Sequence, residues 1–212
     1  MLKELPPEIS SLFSSLELTK VRAFSELVAN TGLFEVQPTY LLELCCGHGL
    51  LGFWWIYSGL VQESVLIDKK ETRRLTKILR ISEQREINCR FMNNDLLQES
   101  FDWTRYESDK TRILAVHACG ELSDRIIDIS LSSGIPFALV TCCHKRATNR
   151  RVYTLKNPPD PRLMNYERYA DYLDCLRKQY LREKGWTARL EHLPRNISPE
   201  NNVLMGIKTR PQ

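Results

Sequence analysis

The sequence predicts an α/β fold, a parallel sheet with helices on both faces. Strand-like and helix-like segments alternate between residues 40 and 141. Tyr40-Leu41-Leu42-Glu43-Leu44-Cys45-Cys46-Gly47-His48-Gly49-Leu50-Leu51-Gly52 reads as a buried strand that ends in a glycine turn and runs straight into a helix. Two strand-like segments near the end of the chain, separated by a polar loop, read as an antiparallel hairpin.

Residues 8–30 carry apolar side chains at helical spacing (Ile9, Leu12, Phe13, Leu16, then Val21, Phe24, Leu27, Val28). They are expected to form a helical arm, residues 1–37, over the cofactor side of a domain spanning 38–212. Tyr40–Cys46 is the first strand and Leu50–Ser58 the helix after it. Ser64–Asp68 follows as a strand, then a charged amphipathic helix from Glu71 to Glu83 with Leu75, Ile78 and Leu79 inward. Asn88–Met92, Arg112–His117 and Pro136–Thr141 are strands, with a helix over Leu122–Ser132. Residues 145–163 are polar and basic, contain Pro158, Pro159 and Pro161, and read as a long loop. Asn165 to Lys184 is a helix with Tyr166, Tyr169, Leu173, Leu176 and Tyr180 on one face, stopped by Gly185. Thr187–Leu193 and Val203–Lys208 make the closing hairpin.

A chain of 212 residues with 42% hydrophobic content can fill one full core. The net charge of +4 permits a nucleic-acid partner without requiring one. No apolar run approaches the ~20 residues needed to cross a bilayer. Seven cysteines in no framework spacing, and no export signal at the N-terminus, lead to an expectation of reduced thiols and a cytoplasmic protein. No membrane contact and no obligate protein partner is evident.

The strand-glycine-helix junction is a nucleotide-cofactor site, because glycines let backbone approach the ligand and the helix N-terminus offers unpaired N–H groups. Gly47-His48-Gly49-Leu50-Leu51-Gly52 also fits the G-x-G-x-x-G dinucleotide fingerprint, and Asp68 ends the second strand, where either cofactor class places an acid on ribose hydroxyls. Three features favour S-adenosyl-L-methionine. Glu43 lies inside the first strand, where an acid suits a cationic cofactor. Asn94-Asp95-Leu96 follows the third strand, where a methyltransferase would hold the adenine amino group. The closing hairpin is unusual for a dehydrogenase.

Overall the chain resembles class I S-adenosylmethionine-dependent methyltransferases. That resemblance implies a Rossmann-like seven-stranded sheet of order 3-2-1-4-5-7-6 with the last strand antiparallel. Three segments resemble a narrower clade, the tRNA acceptor-stem 2′-O-methyltransferases and related methyltransferase-like proteins: Leu44-Cys45-Cys46-Gly47-His48-Gly49, His117-Ala118-Cys119-Gly120-Glu121-Leu122-Ser123-Asp124 and Thr141-Cys142-Cys143-His144-Lys145. Cys45 stands where the family's first turn glycine is usual, and His144 follows Cys143 directly. The resemblance implies cofactor contacts from Glu43, Cys45, Gly47, Gly49, Asp68, Lys69, Asp95, Leu96 and His117.

In that strand order the turns after strands 1, 4 and 5 are neighbours. They carry Cys45, Cys46, His48, His117, Cys119, Cys142, Cys143 and His144. Such thiols can simply be small buried hydrophobes. They can also do chemistry: His117 and His144 as bases, since imidazole titrates near neutral pH, and Cys119 as a transient nucleophile. A soft metal is the third reading, but adjacent Cys142-Cys143 lacks the usual C-x-x-C spacing, so no metal is assigned. His192 reads as structural.

On the substrate side, Lys145, Arg146, Arg150 and Arg151 suit a phosphate backbone, with a solvated loop as the bland alternative. Lys69, Lys70, Arg73, Arg74, Lys77 and Arg80 read as a solvent face. The expected function is methyl transfer from S-adenosylmethionine, with RNA as the leading acceptor, through a ribose hydroxyl or a base. Alternatives are a small-molecule or protein methyltransferase, an NAD(P)-dependent oxidoreductase, and a non-catalytic binding module that keeps the cofactor fold.

Overall fold

The structure is a computed structural model that describes residues 2–31, 37–98, 101–142, 144, 166–198 and 201–209. Seven strands form one sheet of order β3-β2-β1-β4-β5-β7-β6. They are β1 (Tyr40–Leu44), β2 (Glu63–Asp68), β3 (Cys89–Asn93), β4 (Thr111–Cys119), β5 (Phe137–Cys142), β6 (Trp186–His192) and β7 (Asn202–Lys208). The first five pair in parallel, while β7 runs antiparallel to both β5 and β6. This is the predicted order, with the antiparallel strand in the predicted place.

The sheet is buried on both sides because successive strand residues point to opposite faces. In β1, Leu41 joins one core while Leu42 and Leu44 join the other. In β5, Ala138 and Val140 face the first core, and Phe137 and Leu139 the second. The first core is closed by α1 (Pro7–Ser10), α2 (Ser15–Asn30), α3 (Leu50–Tyr57) and α4 (Arg73–Gln84). The second is closed by α5 (Glu121–Ser133), α6 (Tyr166–Glu183) and a short 3-10 turn, Trp103–Arg105.

The N-terminal segment is helical, in two pieces. It is broken into α1 and α2 at Ser14, which forms a capping box with Glu17: Ser14 N donates to Glu17 Oε2 (2.8 Å) and Glu17 N donates to Ser14 Oγ (3.2 Å). The S-x-x-E signature starts a new helix here, because the Ser14 and Glu17 side chains satisfy N–H groups that the first turn of α2 leaves without intrahelical partners. The arm packs into the main core. Ile9, Phe24 and Val28 are buried against Leu51, Phe53 and Trp54 of α3, and Trp55 Nε1 donates to Ser25 Oγ (2.8 Å).

In α6 the expected apolar stripe is only partly the inner face. Tyr169 and Leu173 are buried, but so are Asp174 and Arg177, while Leu176 and Tyr180 are half-buried. Residues 173, 174, 177 and 181 follow the 3.6-residue period, so the true inner face includes two charges. His192 faces Asn202 across the hairpin, Nδ1 to Oδ1 2.9 Å, a structural contact as expected.

Candidate active site at the C-terminal edge of β1, β2 and β4

The turn after β1 begins at Cys45, which holds a left-handed φ of 56° without being glycine. Gly47 (φ 55°) and Gly49 (φ 73°) follow in the same region. A Cβ on Gly47 would meet nothing within 4 Å, so the backbone there is open to the cavity. At Gly52 the need is close packing, since a Cβ would lie 2.4 Å from Leu66 Cδ2 and 2.9 Å from Glu43 Oε2.

Two carboxylates brace this turn. Asp68 Oδ2, at the end of β2, accepts the Gly47 N–H (2.9 Å). Glu43 Oε2 accepts the Gly52 N–H (2.8 Å), supplying from the strand the cap that Gly49, at the helix N-cap, has no side chain to provide. Glu43 is buried, and burial, with Asp68 nearby, pushes its carboxyl up to about 8 against the pull of the Gly52 N–H. His48 Nδ1 lies 2.9 Å from Thr72 Oγ1, and that hydroxyl donates to the Gly47 carbonyl (3.2 Å), so α4 also ties down the turn.

These groups floor a cavity of about 680 Å³. Its walls include Asp68 and Lys69 after β2, Asn94 to Gln98 after β3, Val116, His117 and Cys119 of β4, and Phe13, Leu16, Glu17, Lys20 and Val21 of the arm. Leu16 and Leu97, large apolar side chains left exposed, both rim it. Asp95 Oδ1 accepts the Leu97 N–H (3.1 Å), and the Leu96 carbonyl accepts from Arg125 Nε (2.8 Å), which fixes the loop after β3. Leu96 is itself buried in the second core.

His117 reaches the cavity because β4 carries a bulge. Pairing with β5 runs Ala115↔Leu139, then Ala118↔Thr141, so β4 holds one extra residue over that step. Consecutive residues Val116 and His117 therefore both line the cavity. The surrounding walls, then the Lys20 ammonium, push His117 down to about 4, so the imidazole is neutral at pH 7.

The sequence model of a family described as "Methyltransferase domain" matches residues 17–150, more than half of the chain. The chain belongs to this methyltransferase family. A Xenopus laevis protein described as glutathione S-transferase C-terminal domain-containing is 25% identical over 197 residues, covering 78% of this chain and 30% of that protein. The chain thus spans less than a third of the length of that curated relative.

Solved structures agree on the fold. A Streptococcus pneumoniae protein proposed to be a tRNA (m1A22) methyltransferase, solved with S-adenosyl-L-methionine, is 16% identical with a TM-score of 0.54, covering 90% of this chain and 74% of that one. The methyltransferase domain of bacterial CtHen1-C is 12% identical with a TM-score of 0.56, covering 91% and 100%. An O-methyltransferase family protein from Burkholderia thailandensis is 11% identical with a TM-score of 0.55, covering 93% and 58%.

The methyl donor of this fold is S-adenosyl-L-methionine, and the cavity of the methyltransferase fits it. The open face of Gly47 admits backbone contact with the amino-acid end, Asp68 has a second oxygen for a ribose diol, and the under-stabilised Glu43 carboxylate suits a cationic ligand. Glu43, Cys45, Gly47, Asp68, Lys69, Asp95, Leu96 and His117 all line the cavity. Gly49 stands behind it, where a Cβ would strike Leu66 and Leu75 at 2.7 Å, so its part is to let α3 start close to the sheet.

The sequence reading joined His117, Cys119 and His144 in one reaction centre. The structure brings only the first two to the cavity wall. His144 is buried away from it, with Nε2 3.0 Å from Asp174 Oδ2. That carboxylate also accepts from Thr141 Oγ1 (2.6 Å), Asn202 Nδ2 (2.9 Å) and Arg177 Nη1 (2.8 Å), and Arg177 Nε donates to Asp124 Oδ1 (2.8 Å). Burial alone would raise Asp174, but His144, Arg177 and Thr141 hold it down to about 2. His144 is thus placed as part of the ion network joining α5, β5 and α6. Sequence reasoning missed Asp174 and Arg177, whose only signal was a pair of opposite charges three residues apart inside an amphipathic stripe.

Burial, with Asp68 and Cys119 adding to it, pushes the Cys45 thiol up to about 12, and burial raises Cys46 further, so both behave as protonated small hydrophobes. Among the described residues no group of three His, Cys, Asp or Glu side chains is placed to hold a metal. Also among them, no helix is long and apolar enough to cross a membrane. Cys143, Lys145, Arg146, Arg150 and Arg151 lie outside the described residues.

Proposed function

We propose that this methyltransferase acts on RNA, at a ribose hydroxyl or a base. The donor supplies an electrophilic methyl group on a sulfonium. The Gly47 turn and Glu43 hold the amino-acid end, Asp68 the ribose, and Asp95 with Leu96 the adenine. His117 is the group of this chain positioned to accept a hydrogen bond from the acceptor, since it is neutral and open to the cavity.

One observation supports the RNA reading: a row of exposed cations begins at Lys69 on the cavity wall and continues along α4, and none of them is engaged by a described carboxylate. Lys69 lines the cavity, and Lys70, Arg73, Lys77 and Arg80 lie exposed along the start and outer face of α4. Arg73, Lys77 and Arg80 recur at helical spacing, so they share one face, as phosphate contacts along a strand require. Supporting it are the clade-like segments around Cys45, His117 and Cys142, the basic run Lys145 to Arg151, and the similarity in fold to a Streptococcus pneumoniae protein proposed to be a tRNA methyltransferase.

The test has two stages. Calorimetric titration with S-adenosylhomocysteine should show micromolar binding that Asp68→Ala weakens at least tenfold. Radiolabelled methyl transfer into a cell extract should then place the label in RNA. Label in protein or small metabolites, with RNA blank, would sink the acceptor assignment and leave the donor assignment intact.

A further inference from the structure

The bulge in β4 has a second effect. Before it, β4 pairs with the β5 residue 24 positions later; beyond it the offset is 23. Without the bulge Cys119 would stand opposite Cys143. With it, Cys119 stands opposite Cys142, and their sulfur atoms are 2.8 Å apart. Neither is in a disulfide. Neighbouring parallel strands lie ~4.8 Å apart, which falls within the Cα separations of roughly 4.4–6.8 Å that a disulfide bridges. The two differ in access: Cys119 is half-buried and lines the donor cavity, while Cys142 is buried behind it.

We propose that Cys119 and Cys142 form an oxidisable dithiol, a redox modification site whose disulfide forms in competition with donor binding. The co-reactant is a hydroperoxide small enough to enter the cavity. The Cys119 sulfur attacks the peroxide oxygen; an S–O bond forms, the O–O bond breaks and water leaves. The Cys142 sulfur then attacks the Cys119 sulfur; the S–S bond forms, the S–O bond breaks and a second water leaves. Two thiols are oxidised by two electrons, and one hydrogen peroxide is reduced to two waters.

Access makes the site donor-dependent, since a ligand against the Cys119 wall screens the attacking sulfur. The bond in turn draws Cys119 toward β5, and with it the turn into α5, where Gly120 N already donates to the Cys142 carbonyl (3.2 Å). This competition rests on the donor reading of the cavity, whereas the dithiol itself rests on register and distance.

Treating the full chain with hydrogen peroxide, alkylating the remaining thiols and mapping peptides by mass spectrometry tests it. The expected product is a Cys119–Cys142 cross-linked peptide, reversed by dithiothreitol. Saturating S-adenosylhomocysteine should slow its formation at least tenfold. In Cys142→Ser the same treatment should leave Cys119 as sulfenic or sulfinic acid, with reduced-state ligand affinity unchanged. If that variant does not fold, mapping of the unmodified sequence still decides. Cys119 over-oxidised beside an untouched Cys142, or bridged to Cys45, would overturn the dithiol. Cross-linking at the same rate with and without bound ligand would overturn the competition. Absence of ligand binding to the reduced protein, seen by calorimetry, would instead remove the donor reading and leave the dithiol result standing.

Discussion

Two buried carboxylates in this molecule are driven in opposite directions. Glu43 and Asp174 are both almost fully removed from solvent. Glu43 is raised to about 8 and Asp174 is lowered to about 2. Burial acts on both in the same sense, so partners make the difference. Glu43 accepts one hydrogen bond among the described residues, from a neutral backbone N–H. Asp174 is met by Thr141, His144, Asn202 and Arg177. The incompletely satisfied acid is the one that lines the cavity; the fully satisfied one lies off it and ties α6 to β5 and β7. An acid left short of partners at a cavity wall is poised for a cationic ligand, while an acid given every partner is committed to the fold.

The sharpest test of that contrast is Asp174→Asn, expected to lower stability by about 3–5 kcal/mol in denaturant unfolding at pH 7, because Arg177 loses a buried counter-charge. A loss no larger than that of Glu43→Gln would break the comparison. Gly52→Ala should cost about 1–3 kcal/mol by overpacking against Leu66 and Ser64, and should loosen the Glu43 contact.

The two acids also predict opposite pH windows. Glu43 is raised above its ordinary 4.5, so its contribution to stability is full below that value and is lost as pH rises through about 8. Asp174 is depressed below 3.8, so its contribution is present above that value and is lost as pH falls toward 2. Glu43→Gln keeps the acceptor for Gly52 and removes the titration. Its Tm should therefore exceed that of the parent by on the order of a few degrees at pH 9 and converge with it near pH 5. Binding of a cationic donor near pH 7 should release a proton from the parent and none from the variant, measured by calorimetry in buffers of different ionisation heat. The smallest effect is at Cys45. The left-handed backbone costs a residue with a side chain roughly 1–2 kcal/mol, and glycine returns roughly 0.5–1 kcal/mol as chain entropy. The thiol also packs against the second core, so the two effects offset and Cys45→Gly should change stability by less than about 1 kcal/mol in the same unfolding assay.

The two regions also differ in how far the sequence revealed them. The β1–β2–β3 side was legible because its groups are set by local pattern: Glu43, Gly47 and Gly49 share one strand-turn-helix, Asp68 ends a readable strand and Asp95 follows one. The strand order came with the family resemblance. The β4–β5–α6 side was not legible, since its geometry depends on contacts distant in sequence. His144 meets Asp174 only once α6 has packed, and a charge in an amphipathic stripe carries no mark of burial. The bulge at Val116 and His117 left no trace in composition, yet it decides which cysteine faces Cys119. The break at Ser14 was readable, but apolar spacing on both sides masked its capping signature.

Glu17 joins two helices through a single carboxylate. Its Oε2 caps α2 at Ser14, and its Oε1 meets Arg74 Nη1 of α4 at 2.9 Å, two residues beyond the Thr72 that ties down the Gly47 turn. The ion pair is partly exposed and adds little to equilibrium stability. Its consequence is one of timing. The start of α2, with Phe13 and Leu16, forms a wall of the cavity, so the Glu17 link fixes an element that a bound ligand would touch. Cutting the Glu17 link should shorten the lifetime of a bound ligand more than it changes the melting of the protein.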